Sequence, residues 1–66
     1  MVERGQKTVL LVEDDAALRE VMAECLATDN YAVIQATGSD DAMRLAQLNG
    51  PDVILLVLQA ASNHLR

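Results

Sequence analysis

Glu13-Asp14-Asp15 is the densest cluster of chemically able side chains in this 66-residue chain. Adjacent carboxylates are hard oxygen donors of the kind that hold a divalent cation, and they are the only plentiful ligands here. The competing reading makes them solvated charges at a strand end and a helix N-terminus, with Asp14 or Asp15 capping the helix. The other candidate groups are isolated. Cys25 is the single cysteine, which excludes an intrachain disulfide and a cysteine-framework zinc site. It falls on an apolar helical stripe and reads as a small core residue. His64 has no partner in sequence and reads as a surface residue, while Asp40 and Asp41 read as first-turn helix acids. A metal-dependent hydrolase built on Glu13 and Asp14 lacks a nucleophile and a base at working spacing.

Composition narrows the field further. Ten acidic residues against five basic ones leave a net charge of −5. Nucleic acid and anionic membranes both call for a basic surface and are excluded as partners. At 52% hydrophobic and 2% aromatic residues, the chain has the makings of an aliphatic core of the α/β kind. No apolar run approaches the roughly 20 residues of a membrane span. The N-terminal residues carry charges without a signal-type apolar region, so a cytoplasmic location is expected. A chain this short buries only about 60% of its unfolded surface, which makes a partner a natural source of stability.

The elements that position these residues follow from periodicity. Thr8-Val9-Leu10-Leu11-Val12 is a continuous aliphatic run and reads as a strand buried on both faces. Leu18, Val21, Met22, Cys25 and Leu26 then repeat at helical spacing, with a stop near Thr28-Asp29-Asn30. Tyr31 to Ala36 reads as a shorter edge strand anchored by Tyr31. Ser39 is placed to cap a second helix whose stripe is Ala42, Leu45, Ala46 and Leu48, and Asn49-Gly50-Pro51 ends it. Val53 to Leu58 is the most apolar run and reads as a central strand. Strand, helix, strand, helix, strand means an α/β domain with a parallel sheet. If it is doubly wound, the strand order is 2-1-3 with the helices on opposite faces, and the outer edge of the third strand has no neighbour. An apolar edge of that kind is an association site. A homodimer that pairs this strand with its mate would make a six-stranded sheet, with Val53, Leu55, Val57 and Leu58 as the self-association residues.

Three segments, in order and at matching spacing, resemble receiver domains of bacterial two-component response regulators. They are Val9-Leu10-Leu11-Val12-Glu13-Asp14-Asp15-Ala16-Ala17-Leu18-Arg19, Tyr31 to Gly38 followed by Asp41-Ala42, and Pro51-Asp52-Val53-Ile54-Leu55-Leu56. The resemblance implies a flavodoxin-like β-α-β-α-β fold over about 8–58, with 59–66 a divergent tail, so that 1–66 is a partial, truncated receiver-like domain. The tail is expected to add a helical turn or to fray.

Receivers move a phosphoryl group from a kinase histidine to their own aspartate, with Mg²⁺ alongside. By resemblance, Glu13 and Asp14 take the acidic-pair positions as weak Mg²⁺ ligands, Asp14 the direct one. The phosphoacceptor position holds Val57, and an isopropyl group neither accepts a phosphoryl group nor ligates a cation. The strands that supply a Ser/Thr and a Lys to the phosphoryl oxygens lie beyond this resemblance. The expectation is therefore a non-enzymatic receiver-like module of a phosphorelay that acts by association with itself, a histidine kinase or another receiver. Alternatives are a phosphoacceptor that uses another acid such as Asp14, or an engineered or frame-changed fragment without activity.

Overall fold

A computed structural model of the chain describes residues 5–58, and the helical turn expected in 59–66 lies outside them. The elements are β1 (Thr8–Val12), α1 (Ala16–Thr28), β2 (Ala32–Ala36), α2 (Ser39–Asn49) and β3 (Val53–Leu56). They form one parallel sheet of order β2-β1-β3, as the alternation of strands and helices predicts. In the register, Leu10 stands level with Ile34 and Ile54, and Val12 with Ala36 and Leu56.

Side chains level with one another in a parallel sheet share a face. One face therefore carries Leu10, Val12, Ile34, Ala36, Ile54 and Leu56, and α2 covers its inner part with Ala42, Leu45 and Ala46. The opposite face carries Val9, Leu11, Val33 and Gln35 under α1, whose Ala23 is buried. Both helices lie over β1 and β2, and neither packs on β3. The core is accordingly the middle strand, with Leu10 and Leu11 fully buried.

The ends of the helices are fixed by identifiable groups. Asp15 is the α1 cap, its Oδ1 accepting the Leu18 N–H at 3.0 Å. At the other end Asn30 takes φ 70°, and the Tyr31 N–H donates to the Leu26 carbonyl, closing the helix before β2 begins. Tyr31 thus belongs to that closure and not to the edge strand it was expected to anchor. Gly50, at φ 57°, ends α2 in the left-handed conformation expected of Asn49-Gly50-Pro51. The cap position of α2 is Gly38 and not Ser39, which is the first helical residue. The Gly38 side makes no side-chain cap bond, and the Asp41 carboxylate accepts the Thr37 N–H instead.

Three expectations about burial are corrected. Val53–Leu56 is not a central strand: β1 takes that place, and β3 is an edge strand with Ile54 57% and Leu56 58% exposed. Six aliphatics in a row specify a strand that needs burial on both faces, but not which elements deliver it. Cys25 is exposed, and so are Leu18 and Val21, because α1 meets the sheet through Arg19, Ala23 and Leu26. The small Ala23 sets that face, and the larger apolar residues fall on the flank. Leu48 is 70% exposed, since α2 rests on the sheet through Ala42, Leu45 and Ala46. Met22 is half-buried, whereas Met43 stands out beside β3.

Candidate functional site

The carboxyl ends of β1 and β3 open onto a crevice of about 270 Å³. It is lined by Glu13, Asp14, Thr37, Gly38, Ser39 and the apolar Val12, Leu56, Val57 and Leu58. Because α1 and α2 leave the sheet on opposite faces, this is the switch point at which open α/β sheets place their ligands. The fold thus brings Glu13, Asp14 and Val57 to one place.

The three acids at the end of β1 have diverged in environment. Glu13 is 2% exposed, and its Oε2 accepts the Asp15 N–H at 2.8 Å. Its N–H donates to the Ala36 carbonyl, and its own carbonyl accepts from Arg19 Nη1 at 2.8 Å. Burial of a carboxylate on a backbone N–H satisfies charge locally instead of presenting it to a ligand. Asp15 is committed as the helix cap. Asp14 is exposed and lines the crevice.

The fit of Mg²⁺ to this donor set is poor. The ion needs near-octahedral oxygen coordination from one or two carboxylates supported by further oxygens. Here one carboxylate is open, Glu13 is turned onto the α1 backbone, and Val57 supplies methyl groups in the third corner. Among the described residues no three His, Cys, Asp or Glu side chains converge to hold a metal ion.

Arg19 is the positioning residue that the sequence pattern does not disclose. Besides the Glu13 carbonyl it donates Nε to Gln35 Oε1 at 3.2 Å, and so ties the first turn of α1 to both β1 and β2. Its only signal in the chain is a lone base after a run of acids. The Asp41 carboxyl titrates below its ordinary value. The Arg44 guanidinium, bonded to its carboxylate one helical turn away, is the main cause, and the Thr37 N–H adds to it. Both hold the carboxyl below its usual 3.8. This pair orders the β2–α2 connection behind the crevice, and Asp40 beside it is exposed.

A second concavity lies away from the acids. Val12, Ser39, Ala42, Met43, Ala46, Ile54 and Leu56 bound an apolar groove of about 230 Å³ between α2 and β3. Its floor is the uncovered part of the sheet. No helix among the described residues is long and apolar enough to cross a membrane. Comparison of the chain with protein-family models, with curated proteins and with solved structures finds no match.

Proposed function

We propose that the chain is a receiver-like signal-transduction module of the two-component type that carries no phosphotransfer activity and works through protein–protein association. The observation that carries this reading is β3. It is an aliphatic strand with an unpaired outer edge among the described residues, and Val53, Ile54, Leu56 and Leu58 are each at least half exposed. Apolar surface on both faces of an edge strand is unstable in water unless another chain covers it. Support for the receiver-like part is the 2-1-3 parallel sheet with an acidic β1 end, in the order the resemblance implies. Support for the loss of phosphotransfer is Val57 at the crevice, where an acceptor carboxylate would be needed. In this reading the partner is a second copy, a histidine kinase or another receiver, and the compartment is the cytoplasm.

Incubation with a small phosphodonor and Mg²⁺, followed by intact mass measurement, tests the chemical half. The expected result is no base-labile gain of one phosphate. A gain mapped to Asp14 would overturn it in favour of an alternative acceptor. Light scattering over a concentration series tests the association half, with a mass above 7.1 kDa expected for the folded chain.

A further inference from the structure

The backbone bonds of the sheet identify which groups on β3 remain to be paired among the described residues. Val57 donates its N–H to the Val12 carbonyl at 3.1 Å, while Leu56 is the residue level with Val12. On the other side of β1, Glu13 donates to the Ala36 carbonyl and Ala32 to the Lys7 carbonyl. Parallel ladders use alternate residues of each strand for each neighbour. Odd-numbered residues of β1 therefore serve β2, and even-numbered ones serve β3. On β3 itself, Val53, Leu55 and Val57 turn their N–H and C=O groups to β1. Those of Ile54 and Leu56 point to the outer edge.

The middle of the flanks beside this edge is also uncharged, with Asp15 and Asp29 at the two ends of α1. Glu20, Ala23, Glu24 and Ala27 bound a groove with Val33 and Gln35 at β2. At 3.6 residues per turn the opposite flank of α1, toward β3, carries Leu18, Met22 and Cys25. On the other face Ser39, Met43 and Ala46 are the α2 residues nearest β3. An acidic chain of net charge −5 repels its own copies elsewhere, and this flank lets two copies meet without facing like charges.

Resting on the association reading above, we propose that the occupant of this edge is a second copy, joined through antiparallel β3–β3 pairing about a two-fold axis at Leu55. Identical edges related by a two-fold axis normal to the sheet pair antiparallel. Centring on Leu55 places Ile54 opposite Leu56 of the second copy, twice over, and uses all four outward groups at each pair. It also sets Asp52 opposite Leu58 of the second copy. The two Asp52 carboxylates then lie about 20 Å apart, six residues along the strand and beyond the screening length of about 8–10 Å. A centre at Val53 would bring them to about 7 Å and is disfavoured. The result is a six-stranded sheet that buries Leu55 against its own counterpart on the α1 face.

Single-cysteine variants in a Cys25→Ser background test the geometry. Leu55 faces itself in a non-hydrogen-bonded pair, with Cα atoms about 4.5 Å apart, within disulfide range. Leu55→Cys is expected to form a covalent dimer under mild oxidation. Val53→Cys and Val57→Cys are expected to cross-link only when mixed with one another. Ile54→Pro removes an outward N–H and no β1 bond, so it should yield a folded monomer. Cross-linking of Val53→Cys or Val57→Cys alone would overturn the axis. Faster cross-linking of Leu48→Cys, on the α2 flank opposite Ser39 and Met43, than of Leu55→Cys would move the interface away from β3 and overturn the pairing, while association itself stands. Wild-type chain at the mass of one copy, with no cross-linking of Leu55→Cys, would overturn both. If Ile54→Pro fails to fold by circular dichroism, the cysteine series decides.

Discussion

Replacing Leu10 by alanine should cost far more than truncating an exposed leucine, and the structure supplies the magnitude. Leu10 is fully buried between the sheet and α2, in a cluster with Val12 and Ala36 against which Ile34, Ala42, Leu45 and Ala46 pack. Truncation of buried leucine costs about 2–5 kcal/mol, the larger values going to sites that cannot collapse. Three of these six neighbours are alanines with no side chain to swing into the space. We therefore place Leu10→Ala at about 3–4 kcal/mol, in the upper part of that range. At 66 residues the whole fold is worth about 3–10 kcal/mol, so the variant should lose about a third or more of its stability. Leu48→Ala is the matched control: the same atoms leave a residue that is 70% exposed, and the change should stay within about 0.5 kcal/mol. Urea unfolding followed by far-UV circular dichroism reads both, at one fixed chain concentration because association couples to stability. Equal shifts in midpoint for the two variants, or a loss under about 1 kcal/mol for Leu10→Ala, would refute the assignment of the core to the β1–α2 layer.

Further outcomes follow from the caps and the exposed groups. Asp15→Ala should lose about 1 kcal/mol through the Leu18 N–H it leaves unpaired, whereas Asp14→Ala should be near neutral in the same urea assay. Cys25 should react promptly with a thiol reagent in the folded chain, and protection that is lifted only by denaturant would contradict its exposure. Arg44 and the Thr37 N–H hold the Asp41 carboxyl below its unfolded value of 3.8, so its contribution is full above that pH and is lost as pH falls through the lower folded value. Asp41→Asn should flatten the acid limb of the stability–pH curve, and an unchanged limb would show that the pair with Arg44 contributes nothing in solution.

Strand positions, helix boundaries and the 2-1-3 order were legible because each rests on local chemistry. The aliphatic run Thr8–Val12 has no helical period, Asn30 and Gly50 each end a helix with a positive φ, and alternation of elements leaves few right-handed topologies. Burial was less legible, because it depends on what lies across the layer. Val53–Leu56 has the composition of a central strand and occupies an edge. Leu18, Val21 and Cys25 keep perfect helical spacing, yet the sheet is met by the neighbouring face around Ala23. The acidic cluster was legible as a cluster, but not in its division of labour. That Glu13 is buried on the Asp15 N–H while Asp14 stays open depends on the first turn of α1 and on Arg19, six residues on. The alternation of outward groups on β3, which selects Ile54 and Leu56, required the observed register.

The most direct test of the account is the molar mass of the folded chain by light scattering across a concentration series, with circular dichroism on the same samples. Twice the 7.1 kDa of one copy is expected, with a mixed α/β signal that persists as dilution separates the copies. A folded chain that stays at 7.1 kDa at every concentration would contradict it.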